Sequence, residues 1–358
     1  MSLATALKTG DLAELPSRRD EDWRWTDLRG LIRTLPPASP PGDVARLDDG
    51  PFDGLGGDEI VFLNGRRLAG QGAVLVAAGA SATLRLRFVS QTASQTASQT
   101  VQGAHQAALS VVLERGARLT LLESHEGADG AYVTDTAIDI ALGDGADLER
   151  LVLIDEAVDA VAVSTANIGL SPRARLGQTT LTSGAKRQRA ETRVSHPGGG
   201  ASVRLDGVYL LGGPRHADLT SEVIHAGPGG ATDQLTKGAV QGPARAVFQG
   251  RIIVRDGADQ TDARMGHHAL LLSDRAEVDA KPELEIYADD VACAHGNTVG
   301  ALDEEALFYA QARGMPEAEA RALLTEAFVG AVVDRIDHEG ARDVARAWVA
   351  ARLGRAAP

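Results

Sequence analysis

Hydrophobic and polar residues alternate in short runs through the middle of the chain, from about residue 109 to residue 300. Ile138 and Ile140 are separated by a single residue, and Val208 and Leu210 follow the same spacing. Because successive side chains of a strand point to opposite faces, a period of two is typical of β-strands. Glycine and aspartate separate the runs, so the pattern predicts many short strands joined by turns.

A small motif recurs between these runs at nearly constant spacing. Its alanine is Ala117, Ala146, Ala174 and Ala201, at steps of 29, 28 and 27 residues. A period in this range indicates a solenoid, in which each repeat packs on the next one. Because the repeats contain strands, they predict a parallel β-helix. An ordinary β-sandwich with regularly spaced turns is the alternative.

Both ends of the chain predict helices. Residues 1 to about 35 have apolar residues at helical spacing, and the proline-rich stretch that follows predicts a linker. The fold class is therefore mainly β, with a β-helix core flanked by helical regions. We expect these regions to cap the two ends of the solenoid. The predicted domains are 1–50 for the N-terminal helical region and linker, 51–300 for the β-helix and 301–358 for the C-terminal helical region.

The C-terminal region has recognisable helix boundaries. Asp303 is a predicted N-cap for a helix through Arg313, with Gly314 just beyond its end and Pro316 in the first turn of the next helix. One apolar stripe is predicted to bury that next helix against the solenoid end or a partner. The stripe comprises Ala320, Leu323, Leu324, Ala327, Phe328, Ala331 and Ile336.

Composition limits the possible partners and compartments. Lys and Arg total 36 and Asp and Glu total 49, which gives a net charge of -13 and makes nucleic acid or anionic lipid poor partners. Cys293 is the single cysteine, so it forms no internal disulfide. The first residues resemble no signal peptide and no apolar run approaches 18 residues, so we expect a cytoplasmic protein without a membrane span. The polar tract 91–100 predicts a loop.

Cys293 and His295 are the strongest candidates for chemistry. Two residues apart in a strand, they share a face with Cβ atoms roughly 7 Å apart. Thiolate and imidazole suit iron, iron–sulfur clusters or zinc, but a four-coordinate site needs more donors, most simply from a second chain. The alternative is a buried apolar cysteine beside a structural histidine. His267 and His268 are adjacent and therefore point to opposite faces, so they do not chelate one ion.

Catalytic motifs are missing from the sequence. No lysine follows glycine and precedes serine or threonine, so there is no Walker A loop, and neither G-x-G-x-x-G nor G-x-S-x-G occurs. We therefore expect a protein that does not turn over a substrate by itself. One alternative is a β-helix polysaccharide lyase or hydrolase, although few aromatic residues are present for sugar stacking. A purely structural homodimer is a further alternative.

Three stretches resemble the SufB/SufD family of iron–sulfur cluster assembly proteins, and within it the SufD type. They are the run 247–252, the segment 282–300 with its Cys293-Ala294-His295-Gly296 sequence, and the run 307–314. The family motif has Ser where this chain has Ala294. Near the N-terminus, the segment 16–26 is similar to the family's Trp-Arg-Tyr-Thr opening. A SufB-like subunit fits less well, because that branch carries several cysteines.

The resemblance implies a right-handed parallel β-helix between helical regions that pairs with SufB. It also implies that the C-terminal helices bind SufC, an ABC-type ATPase. His295, with Cys293, would contribute to a transient Fe–S cluster at the interface, where SufB would supply a cysteine and an acidic ligand. Association of FADH2 with the complex is implied as well. The residues expected to contact SufC are Leu307, Phe308, Tyr309, Arg313, Gly314, Leu324 and Phe328.

Overall fold

A computed structural model describes residues 1–70, 72–92, 103–127 and 130–354. Most of the predicted loop 91–100 therefore lies outside the described residues. Strands are numbered in chain order. The larger sheet contains β1 (Asp58–Leu63), β2 (Arg66–Arg67), β4 (Ser81–Ser90), β6 (Arg118–Gly127), β8 (Asp147–Asp155), β10 (Arg175–Thr182), β12 (Ser202–Leu211), β14 (Ala231–Val240), β16 (Thr261–Leu271) and β18 (Val291–Gly300). The smaller sheet contains β3 (Val74–Val76), β5 (Ala104–Leu113), β7 (Val133–Leu142), β9 (Val161–Leu170), β11 (Arg187–His196), β13 (His216–His225), β15 (Arg245–Val254) and β17 (Glu277–Ile286).

Alternate strands pair in parallel, so the chain winds as a β-helix of about 8 turns. The register follows the alanine motif: Arg118 of β6 lies opposite Asp147 of β8, which lies opposite Arg175 of β10. Each of these residues directly follows a motif alanine. The predicted repeat is therefore one full turn, and the β-sandwich alternative is wrong.

Stacked aliphatic side chains fill the inside of the solenoid. Leu119, Leu148, Leu176 and Val203 occupy the same position on four successive turns and are almost fully buried. Each side chain in the stack is covered by the equivalent side chains of the turns before and after it. The burial of apolar surface therefore stabilises a turn only when its neighbouring turns are also folded. The motif alanines are also buried, because only a small side chain fits where the chain turns into the strand.

A polar network interrupts this apolar interior. Glu123 accepts hydrogen bonds from Arg150 at 2.9 and 2.7 Å, and its other oxygen lies 2.7 Å from Nε2 of His125. Arg150 also donates to Gln178 at 2.7 Å, and Gln178 donates to Thr192 across the solenoid at 2.9 Å. Burial acts to raise the pKa of Glu123, but Arg150 and His125 lower it below its ordinary value. The network is thus held by charge pairing inside the core.

Residues 1–35, here called the N-terminal segment, lie along the outer face of the smaller sheet. The prediction of a mainly helical segment is wrong. Helix α1 covers Leu3–Thr9, and only single 3₁₀ turns follow at Leu12–Glu14 and Glu21–Trp23. Apolar residues such as Leu15 and Leu28 pack against valines of β7 and β9. The sheet therefore dictates the path of this segment over its local helix preference.

Three helices lie at the C-terminal end: α2 (Glu304–Ala312), α3 (Glu317–Val333) and α4 (Glu339–Arg352). The predicted boundaries of α2 are confirmed, since Asp303 accepts hydrogen bonds from two backbone N–H groups as N-cap and Gly314 has a φ of 92°. Pro316 is the N-cap of α3 rather than a residue of its first turn. Helices α3 and α4 pack on the outer face of the larger sheet, against residues such as Leu151 and Val208, whereas α2 has no buried residue.

The expected capping of the solenoid ends and the expected buried face of α3 are both wrong. Neither helical region caps an end of the solenoid; each lies along one side of it. The stripe predicted for α3 is also rotated, because Leu323, Ala327 and Ala331 are exposed. The helix is apolar around most of its circumference, so its sequence does not define one buried face. The buried residues of α3 are Ala320, Thr325, Val329, Val332 and Val333.

Candidate functional site

Strands β17 and β18, here called the last rung, form an uncovered end of the solenoid. Each is the outermost strand of its sheet. All residues of β17 and β18 are at least partly exposed, whereas inward residues of the preceding strands are buried. Ile286, Tyr287 and Val299 expose 42%, 62% and 42% of their surface. The last rung therefore offers unpaired backbone groups and apolar surface to another chain.

Cys293 and His295 lie on the inner face of β18. Cys293 is opposite Ala263 of β16, and His295 is opposite Met265. Ala263 and Met265 belong to the buried interior, and Cys293 packs against that cluster. Because residues two apart share a face, His295 also faces the solenoid axis, where the absence of a further turn leaves it exposed. Burial raises the pKa of the Cys293 thiol, so the thiol is protonated at neutral pH.

A buried histidine anchors β18 to the rest of the solenoid. Nδ1 of His267 lies 2.7 Å from the amide oxygen of Asn297, and Nε2 lies 2.9 Å from the hydroxyl of Tyr209. Burial lowers the pKa of His267 to about 4, so the imidazole is neutral. Its Nδ1 therefore donates to Asn297 while its Nε2 accepts from Tyr209. These bonds fix the strand that presents Cys293 and His295.

The donor set of this chain is incomplete. Among the described residues, no group of three or more His, Cys, Asp or Glu side chains is close enough to hold a metal ion. His267 faces inward and His268 faces outward, as their adjacency predicts. Asp289 and Asp290 are exposed in the turn before β18. Cys293 and His295 supply soft sulfur and nitrogen donors, and a tetrahedral iron or zinc site would need two more ligands.

The residues predicted to contact an ATPase lie on two helices and differ in exposure. In α2, Phe308 and Tyr309 expose 72% and 60% of their surface, with Arg313 stacked on the Tyr309 ring at 5.0 Å. Leu307 of the same helix is half-buried, and Gly314 is exposed. In α3, Leu324 and Phe328 are half-buried, and Phe328 contacts Lys237 of β14. The free apolar surface is therefore on α2.

Sequence reasoning missed buried polar residues, one of them next to the site. His267 was considered only for metal binding, yet it holds β18 through Asn297. The interior network of Glu123 and Arg150 also gave no signal, because alternating polar residues usually indicate a solvated strand face. Knowledge of which face points inward would have revealed both.

Comparison with known proteins identifies the family. Residues 92–328 match the SufBD core domain of SUF system FeS cluster assembly. The chain therefore belongs to the SufBD family of the SUF iron–sulfur cluster assembly system.

Individual relatives agree with this assignment. An iron–sulfur cluster assembly SufBD family protein of Synechocystis is 32% identical over 241 residues, 64% of this chain. That alignment spans only 53% of the relative, so the chain covers about half of its length. The iron–sulfur cluster assembly protein SufD of Escherichia coli is 26% identical, with 98% of this chain and 91% of that protein aligned. SufD of Bacillus subtilis is 32% identical over 36% of this chain. No helix within the described ranges is long and apolar enough to cross a bilayer.

Proposed function

We propose that this chain is a SufD-like, non-catalytic subunit of a SUF scaffold that pairs with SufB through the last rung. One observation carries the proposal: Cys293 and His295 share the inner face of β18 at an uncovered solenoid end. A partner β-helix stacked there would bring its own side chains next to this pair. The nascent cluster, which is cargo rather than a resident cofactor, would then gain ligands from both chains.

His295 is the cluster ligand in this proposal, and Cys293 is a supporting thiol. His295 is exposed and free to coordinate, whereas Cys293 is partly shielded and must lose its proton to bind iron. The alternative of a structural cysteine beside a structural histidine predicts that neither side chain affects cluster formation. FADH2 association remains a prediction for the whole complex, without assigned residues here.

The decisive experiment is cluster reconstitution on the complex with SufB and SufC. His295→Ala should reduce the iron and sulfide retained by at least about tenfold without altering complex size. His268→Ala is the matched control, because His268 lies on the neighbouring strand and faces away from the solenoid axis. Normal cluster formation in His295→Ala, or an equal loss in His268→Ala, would contradict the ligand role.

We further propose that α2 binds the SufC ATPase. Phe308 and Tyr309 are large apolar side chains that this chain leaves uncovered, and such residues are common interface anchors. Addition of SufC should slow hydrogen exchange in α2, and Phe308→Ala should weaken binding roughly tenfold. Val112→Ala, on the exposed outer face of the smaller sheet, should leave binding unchanged. Unchanged exchange in α2 would remove this assignment.

Other functions have weaker support. The alignment with SufD over 98% of the chain and the single cysteine favour a SufD-like role over a SufB-like one. The family assignment also favours an assembly role over a polysaccharide lyase or hydrolase, although such enzymes share the β-helix fold. A homodimer is expected when SufB is absent, since the last rung is then unpaired. The predicted compartment is the cytoplasm.

A further inference from the structure

An arginine-rich cleft lies far along the sequence from Cys293 and His295, where the N-terminal segment meets the start of β11. Its volume is about 680 Å³, which is in the range of small-molecule sites. Five guanidinium groups line it, together with one carboxylate, that of Asp27. We call this the arginine cleft. Its arginines are Arg18, Arg19, Arg29, Arg33 and Arg187.

The protein offsets only part of the positive charge of the arginine cleft. Among the described residues, no carboxylate oxygen lies within 4.0 Å of a guanidinium nitrogen of these five arginines. Asp27 offsets part of this charge: its Oδ1 accepts the backbone N–H of Gly30 at 2.8 Å, and its carboxylate acts to raise the pKa of Arg187. In a chain with a net charge of -13, such a concentration of unpaired arginine is unexpected for a purely structural surface.

Arg187 brings a partly buried guanidinium from the solenoid to the wall of the arginine cleft. Its Nε is buried and has no hydrogen-bond acceptor. Leaving a charged donor unsatisfied away from water is costly, and native structures usually avoid it. Burial lowers the pKa of Arg187, and Arg245 acts in the same direction, whereas Asp27 and Asp218 oppose the shift without cancelling it. An anion in the cleft would place negative charge beside the Arg187 guanidinium and offset the repulsion from Arg245.

We propose that the arginine cleft binds a small phosphorylated anion with at least two negative charges, of the diphosphate type. Guanidinium groups match phosphate oxygens in a two-pronged geometry, and several of them favour a multiply charged ligand. No aromatic side chain lines the cleft, so recognition falls on the phosphates rather than on a nucleobase. The other residues that line the cleft are small and polar or aliphatic.

Binding would connect two parts of the fold. Arg18, Arg19 and Arg33 belong to the N-terminal segment, whereas Arg187 belongs to β11 of the solenoid. Arg29 is already oriented, because its Nε donates to the carbonyl of Leu15 at 3.1 Å. One anion contacting both groups would hold the segment against the smaller sheet. Ligand binding should therefore slow hydrogen exchange in residues 17–33.

The test is calorimetric titration of the full-length chain with inorganic diphosphate at low ionic strength. We expect saturable binding that weakens as salt is added. Arg187→Gln and the double variant Arg18→Gln with Arg33→Gln should each weaken binding by about tenfold or more. Arg255→Gln is the control, because Arg255 is an exposed turn arginine outside the cleft. Absence of diphosphate binding, or equal affinity in Arg187→Gln, would overturn the proposal.

Two further measurements keep the outcome interpretable. Circular dichroism will show whether each variant is folded, and the double variant alters only exposed residues, so it remains informative if Arg187→Gln is unstable. Orthophosphate and citrate are comparison ligands. Weaker binding of both supports the diphosphate class, whereas citrate binding as tightly as diphosphate would refute a phosphate site. Cluster reconstitution is not part of the assay, so its result is independent of the role of His295.

Discussion

At the scale of single residues, His267 connects three strands across the interior. It accepts from Tyr209 of β12, donates to Asn297 of β18 and stacks on Phe248 at 4.5 Å between ring centroids. In the neutral form Nδ1 donates and Nε2 accepts, whereas protonation would bury a charge and require the Tyr209 hydroxyl to change from donor to acceptor. The contacts that hold the strand carrying Cys293 and His295 therefore depend on the protonation state of this one side chain.

His267 should make stability depend on pH. Its folded pKa of about 4 is below the ordinary value of 6.5, so the unfolded chain binds more protons between these values. The stabilisation is present above about pH 6.5 and is lost as pH falls toward 4. Urea unfolding of His267→Phe at about pH 7 and about pH 5 should show a smaller pH-dependent loss than the native chain, by up to about 2 kcal/mol.

Comparison of the variant with the native chain isolates this effect. Burial raises the pKa of Glu149 to about 7, which changes stability in the opposite direction over the same range. That contribution is common to both proteins and cancels in the difference. An identical pH dependence in His267→Phe and the native chain would show that His267 does not carry the effect.

The sequence predicted the residue-level geometry of the site only in part. The shared face of Cys293 and His295 follows from a spacing of two in a strand, and β18 has that geometry. The inward position of Arg150 could not be predicted, because an alternating sequence separates the two faces of a strand but does not show which face is buried. Its partner Glu123 is 27 residues away, on the preceding turn of the solenoid.

At the scale of elements, long-range contacts decide the path of the N-terminal segment. Arg189 of β11 is 1% exposed, pairs with Asp218 at 3.0 Å and stacks on the Trp23 ring at 4.4 Å. Thr26 donates to the same carboxylate. These partners are more than 150 residues from the segment, so local helical spacing could not reveal them. By contrast, α2 was predicted correctly because Asp303 and Gly314 define its ends locally.

Asp218 should therefore be essential for attachment of this segment. Asp218→Ala leaves the Arg189 guanidinium buried with only Glu191 as an anionic partner, so the free energy of unfolding should fall by about 3 kcal/mol or more. Asp262→Ala breaks a pair in which both side chains are mostly exposed and should cost less than about 1 kcal/mol. Equal losses in the two variants, measured by urea unfolding, would argue against the buried pair.

At the scale of the whole molecule, the two solenoid ends differ. At the first end, Ile60 and Phe62 of β1 are buried, and the strand turns back through Asn64 and Gly65 into the short antiparallel β2. No described residue covers the last rung in a comparable way. This asymmetry was not predicted, because the terminal segments were expected to cap both ends and instead pack on the sides of the solenoid.

Charge at the last rung should prevent pairing. The double variant Ile286→Lys with Val299→Lys adds solvated charge to the surface expected to contact SufB. Measurement of the molecular mass by light scattering should then show loss of the heterodimer. Both residues are exposed, so the fold should be retained. Leu75→Lys introduces the same charge at an exposed position of β3 and should leave the heterodimer intact. A heterodimer that survives the double substitution would place the interface elsewhere.

The difference between the two ends also limits the number of solenoids that can associate end to end. A solenoid with two extendable ends would polymerise, because every added molecule would expose a fresh growth point. Within the part of the chain that the structure describes, the larger sheet ends at that side in the two-residue antiparallel β2, and the smaller sheet ends in the three-residue β3, so little strand edge is left for a further molecule. If pairing occurs through the last rung as proposed, one joining event consumes the long strand edge, and we expect association to stop at two solenoids.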